Sequence, residues 1–226
     1  MKKQVAENPA KNRERLWTCL LVITALLVTL YLVSNVMAVK IISIGGLALF
    51  DAGTITFPFA YMLGDVLTEV WGFKTARKVI YLTFVCNVLF VIFTAIGVLL
   101  PFPDYGAETA GAYATVFTYV PRIVIASLLG FLTGEISNAW ALERIKRLTK
   151  GKHMWARTIG SSAVGYLFDT VLFVLVAFWG TAPTEDLASM IAIQYIAKLL
   201  IEGLSGTPLA YALVAAIKKF CGGTEQ

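Results

Sequence analysis

From Leu16 to Val39 the chain runs without a single charged side chain, and Val79 to Leu100 repeats the pattern. Runs of this length have one stable home. A bilayer core about 30 Å thick takes roughly 20 apolar residues wound as a helix. Lipid offers a backbone no partners, so the helix must satisfy its own amides. The first run is too long for a signal-peptide core and lacks a clear small-residue cleavage site, so it is expected to stay in the membrane. Composition agrees: 58% of residues are hydrophobic, 15% are charged and the mean hydropathy is +0.76, whereas a soluble domain carries about 25% charged residues. The expected class is an all-α integral membrane protein.

Charge placement sets the expected topology. Of 19 Lys and Arg residues, 16 fall in the N-terminal tail, the 74–78 loop, the 143–157 loop and the C-terminal tail. The three opposite loops hold only Lys40, against five acids. Six spans with both termini cytoplasmic fit this ledger. The net charge of +5 therefore reads as membrane topology rather than as a nucleic-acid face. The organisation expected is a tail over 1–15, one six-helix domain over 16–219 and a short tail over 220–226. The spans are placed at 16–39, 54–71, 79–100, 116–142, 156–180 and 187–217. Between the first two, Gly45-Gly46 predicts a short hairpin or re-entrant loop. Residues 101–115 read as a loop. Ala126, Gly130 and Gly134 recur every four residues on span four, while Ser161, Gly165 and Asp169 share a face of span five; small stripes of this kind let helices approach closely. Gly203, Gly206 and Pro208 predict an unwound or kinked centre in the last span. Span three, with Asn87 as its main polar group, reads as scaffold.

Seven ionisable residues lie inside the spans: Asp65, Glu69, Arg122, Glu135, Asp169, Lys198 and Glu202. Each costs about 2.5–3.5 kcal/mol at mid-span if unpaired, so they must pair or line a wet cavity. Asp65 and Glu69 share a helix face with Tyr61 in FPFAYMLGDVLTEVWG, residues 57–72, behind Pro58. Pro58 either interrupts this helix or starts it. Gln194, Lys198 and Glu202 form a second stripe. Helical rise places Asp65, Asp169 and Lys198 at similar depth, with Lys198 paired to Asp169 or Asp65. Buried ion pairs that only fix helix register are the plainer alternative.

Enzyme chemistry has little to stand on. No span contains a histidine, and neither a zinc-protease nor a Walker A motif is present. A carboxylate-only enzyme and a purely structural role are the competing classes. Cys19, Cys86 and Cys221 lack metal or redox spacing. No cofactor and no metal are expected.

The stretch Asn35 to Lys40, the glycine hairpin, FPFAYMLGDVLTEVWG with the following Lys74-Thr75-Ala76-Arg77-Lys78, the RIVIASLLGFLTGE run, the region Gly165 to Trp179 and Tyr195 to Lys198 together resemble the bacterial queuosine precursor transporters, also called the vitamin uptake transporter family. The resemblance covers nearly the whole chain beyond the N-terminal tail. It implies six helices, a fold similar to the substrate-binding subunits of energy-coupling-factor transporters, and uptake of 7-cyano-7-deazaguanine or 7-aminomethyl-7-deazaguanine through the inner membrane for tRNA modification. The positions it carries over most closely are Asn35, Phe57, Pro58, Asp65, Arg122, Asp169 and Lys198; Glu69, Glu135 and Glu202 match less uniformly. Span one offers only Ala25 and Ala38 in place of the Ala-x-x-x-Ala pattern of energy-coupling-factor subunits, which argues against docking on that module. A homodimer is compatible with the pattern.

The residue chemistry agrees with that implication. A guanine-like edge offers two adjacent donors that a carboxylate accepts in bidentate fashion. Lys198, Asn35 or Gln194 could donate to the ring carbonyl. Phe57 or Tyr61 could stack on the ring. Asp65 is the carboxylate expected to read the substrate, and Asp169 the one expected to pair with Lys198. Another flat, vitamin-like solute is the alternative cargo.

Overall fold

The structure is a computed structural model that describes residues 9–45, 47–148 and 154–221. The start of the N-terminal tail, Gly46, the part of the basic loop that holds His153, and the C-terminal end lie outside the described residues. So does the side chain of Glu135.

Among the described residues, eight α-helices and one β-hairpin follow in order: α1 (Pro9–Met37), β1 (Ile41–Ile44), β2 (Leu47–Asp51), α2 (Phe57–Trp71), α3 (Phe73–Leu99), α4 (Ala107–Phe117), α5 (Val120–Leu148), α6 (Met154–Phe178), α7 (Thr184–Ile201) and α8 (Thr207–Phe220). Five stretches of the described residues are long and apolar enough to cross a membrane: Asn12–Met37, Phe73–Leu99, Asp104–Asn138, Gly160–Phe178 and Thr184–Phe220. The remaining expected span, α2, has 15 residues, about 22 Å at 1.5 Å per residue. The chain is a multi-pass membrane protein.

Its surface is apolar where a soluble protein's would be polar. On α3, Tyr81, Leu82, Val85, Leu89, Ile92 and Phe93 point outward, while Thr83 and Asn87 are buried. Hydroxyls on the helices bond back to the preceding turn, as Thr29 does to the Ala25 carbonyl (2.8 Å) and Thr83 to Val79 (2.9 Å). This spares each hydroxyl an unmet hydrogen bond in lipid.

Two apolar clusters divide the bundle. One joins α1, α2, α3 and α8 around Leu27, Val66, Leu67 and Ile217. The other joins α5, α6 and α7 around Ile123, Val174 and Met190, with Ala38 from the end of α1. The α5–α6 crossing is the tight one, and it uses the small stripes expected from sequence. A Cβ on Gly134 would lie 2.9 Å from the Asp169 Cβ, and one on Gly165 would lie 2.9 Å from both the Asn138 Cβ and the Gly134 carbonyl. Backbones approach this closely only where side chains are absent.

The hairpin forms at Gly45, whose φ of 62° suits glycine. Its two strands pair antiparallel, with Ile41 opposite Asp51 and an irregularity between Ile42 and Ser43. A 3₁₀ turn, Ala52–Ile55, leads from it into α2. Pro58 sits in the first turn of α2, where a missing amide hydrogen costs nothing; it starts the helix and does not interrupt one. Gly72, with φ of 79°, turns the chain from α2 straight into α3. A π-helical turn, Glu202–Gly206, separates α7 from α8, so the last span carries the expected irregular centre.

One expectation fails. The 101–115 segment is not all loop: α4 occupies Ala107–Phe117. Pro101 and Pro103 lie ahead of the helix, and the alanines behind them favour it. Tyr113 and Phe117, 4.4 Å apart at their ring centres, hold it in place.

Candidate functional site: a cavity walled by asparagines, aromatic rings and a carboxylate

A cavity of about 440 Å³ lies among α1, α2, α3 and α5. Its polar wall is Asn35, Asp65, Thr68, Thr83, Asn87, Ser127 and Asn138; Tyr61 and Phe131 supply aromatic faces. This size and mixture suit a small organic ligand. A second, smaller cavity of about 70 Å³ adjoins Tyr61 and Asp65 on the side of α6, lined also by Tyr166, Asp169 and Glu202. Asp65 lines both cavities and its side chain is exposed there. Tyr61, one turn before it, stacks on Phe131 with ring centres 6.0 Å apart and planes at 27°, and meets Tyr166 edge-on at 6.0 Å. The i, i+4 spacing on α2 thus sets an aromatic face beside a carboxylate.

Opposite them, α1 and α3 contribute an amide pair. Asn35 donates through Nδ2 to the Asn87 Oδ1 at 2.6 Å, and Asn87 donates through Nδ2 to the Thr83 carbonyl at 2.8 Å. Both side chains are almost fully buried. The Oδ1 of Asn35 has no hydrogen-bond partner. A buried acceptor left in that state costs about 1–3 kcal/mol.

The lysine lies elsewhere. Lys198 is 3% exposed and bonds Asp169 at 2.7 Å, with the Phe173 ring centre 5.7 Å from its Nζ. The expected pairing therefore holds, with Asp169 as the partner. Phe57 and Tyr61 border the same small void as this pair. The Phe57 ring is engaged at its edges by Tyr31 (5.7 Å) and Phe173 (6.3 Å).

Other polar and ionisable span residues singled out from the sequence sit as follows. Glu69 faces outward at the end of α2 and bonds Lys218 of α8 at 3.4 Å. Arg122 donates to the carbonyls of Val176 (2.7 Å) and Trp179, closing the end of α6 where helix carbonyls lack partners. Gln194 is fully buried in α7 with neither amide atom paired, and it does not line the large cavity. Glu202 takes a hydrogen bond from Tyr166.

Several residues were not foreseen, with Thr68, Thr83, Ser127 and Asn138 on the cavity wall among them. Asn87, read as scaffold, faces the cavity; the signal was present, since it is the one amide in a charge-free span. Phe131 had no signal beyond helix periodicity. Asp51 lies at the end of β2, outside the spans. It is fully buried, and its carboxylate accepts from the Thr54 amide (3.1 Å) and hydroxyl (3.0 Å). Burial pushes its pKa up to about 6, with the charge of Lys198 pulling the other way.

Comparison with known proteins bears directly on this arrangement. The family model described as "Putative vitamin uptake transporter" matches residues 51–213. The chain belongs to the vitamin uptake transporter family. Its curated relatives include a "Probable queuosine precursor transporter" of Bacillus subtilis (strain 168), 32% identical over 180 residues, covering 79% of this chain and 77% of the relative. Another is the "Queuosine precursor transporter" of Escherichia coli (strain K12), 25% identical over 170 residues and covering 74% of each chain. No solved structure matches. This vitamin uptake transporter homologue is thus a membrane transporter and not an enzyme.

Proposed function

We propose that this transporter imports queuosine precursors, 7-cyano-7-deazaguanine, 7-aminomethyl-7-deazaguanine or both, through the bacterial plasma membrane, with both termini cytoplasmic. The observation that carries the reading is Asp65 exposed in the cavity beside the stacked Tyr61 and Phe131. A planar base lying against those rings presents its edge to the carboxylate. The adjacent ring N–H and exocyclic amine of a guanine-type edge then match the two carboxylate oxygens. The names of the curated relatives support the same cargo. Asn35 and Tyr61 complete the binding set in this reading, while Asp169 and Lys198 hold the helices around it. The partners are the free base and the bilayer, with no nucleic acid and no energy-coupling-factor module.

Calorimetry on the purified chain in detergent, against both deazaguanines, guanine, adenine and unrelated flat vitamins, tests it. Saturable binding of a deazaguanine above the others is expected. Preference for a vitamin, or no binding to any base, would overturn the assignment.

A further inference from the structure

Two of the three asparagines that line the cavity, Asn35 and Asn87, are not free to turn, and this fixes what a ligand must offer them. The Thr83 carbonyl can only accept, so Asn87 must present Nδ2 to it, as it does at 2.8 Å. The Asn87 Oδ1 then faces α1, and Asn35 must answer with its own Nδ2, at 2.6 Å. Thr83 cannot relax this order through its hydroxyl, which is committed to the Val79 carbonyl. The relay is directional. It leaves Asn35 with an oriented, buried and unpartnered Oδ1 and a second Nδ2 hydrogen, on a residue that lines the cavity.

We infer that Asn35, positioned by Asn87, binds the five-membered-ring N–H of the free base, and that this contact makes the cavity select bases over nucleosides. The inference rests on the deazaguanine reading above. On such a base the six-membered-ring N–H and the exocyclic amine are the two donors that Asp65 takes. The ring donor remaining in both the cyano and the aminomethyl compound is the N–H of the five-membered ring. Next to it stands a ring nitrogen that accepts. An amide whose oxygen accepts and whose nitrogen donates pairs with such an edge in two parallel hydrogen bonds, the way asparagine reads adenine. A nucleoside carries its sugar on that same nitrogen. It loses the donor, leaves the Asn35 Oδ1 unmet and places a bulky polar group against a wall formed by α1 and α3.

The experiment is calorimetry on the full chain in detergent with 7-cyano-7-deazaguanine, its derivative methylated on the five-membered-ring nitrogen, and its ribonucleoside. For the wild type, methylation and ribosylation should each weaken binding by on the order of tenfold or more. In Asn35→Ala the parent base should weaken similarly, while the ratio between parent and methylated base narrows to under about threefold, because the group that sensed the N–H is gone. Asn87→Leu, which frees the Asn35 amide to turn, should narrow the same ratio. A residue that merely supported the fold would lower both affinities together and leave the ratio unchanged. Wild-type affinities for parent and methylated base within about threefold of each other would overturn the inference while leaving the transport reading intact. That comparison needs no variant, so it decides even if neither variant folds. Wild-type protein that binds none of the three compounds would overturn the transport reading, and this inference with it.

Discussion

Asp65 and Asp169 stand in different surroundings, and different outcomes are expected when each loses its charge. Asp169 is buried against Lys198 at 2.7 Å; removing its charge strands an ammonium in the bundle, a loss of about 3–5 kcal/mol. Asp169→Asn should therefore chiefly reduce folding yield and melting temperature. Asp65 is exposed in the cavity, and Asp65→Asn should lose roughly one to two powers of ten in deazaguanine affinity, since an amide nitrogen would face a donor. Melting curves and calorimetry on both variants separate the roles, and the opposite pattern would exchange them. Asp51 makes a prediction about pH. Its folded pKa of about 6 lies above the ordinary 3.8, so the folded state binds the proton more tightly. Its contribution is least favourable above about pH 6 and improves as pH falls toward 4, by up to about 3 kcal/mol. The melting temperature of wild type relative to Asp51→Asn should rise as pH is lowered from 7 to 5. A difference that stays flat, or runs the other way, would show that Asp51 does not titrate in this window.

Among the elements, the α5–α6 crossing is the part least able to accept added bulk. Gly134 and Gly165 face each other's helices so closely that a methyl group on either would need backbone movement. Gly165→Ala should cost about 1–3 kcal/mol through overpacking, despite alanine's better helix propensity. Gly64 on α2 has nothing within 4 Å of an added Cβ, so Gly64→Ala should be neutral to stabilising in the same melting assay. Equal effects at the two positions would remove close packing as the cause. The hairpin and the π-helical turn are the other departures from plain helix. Both lie where glycines and a buried acid or a proline relieve the backbone of regular pairing, and lipid tolerates such segments only when protein covers them.

For the whole molecule, the charge ledger makes the strongest demand. The proposed cytoplasmic termini require the loop around Gly106 to face outward and the basic loop around Lys150 to face inward. A membrane-impermeant thiol reagent applied to intact cells should label Gly106→Cys and spare Lys150→Cys, in a background with the three native cysteines replaced. Reversed labelling would invert the topology and turn the proposed import path around.

How much of this was legible beforehand follows from where the physics is local. Lipid forces each span to satisfy its own backbone and penalises each stray charge separately. Span existence, the Gly45 turn, the small-residue crossing, the irregular last span and a carboxylate partner for Lys198 could therefore be read from residue types and spacing. The tertiary structure decided what depends on how a helix is rotated against its neighbours. That rotation turned Asp65 into the cavity and Asp169 onto Lys198, and sent Glu69 out to Lys218. It also brought Asn35 and Asn87, 52 positions apart, into one hydrogen bond. No spacing within either helix encodes that meeting, because it exists only once α1 and α3 have packed.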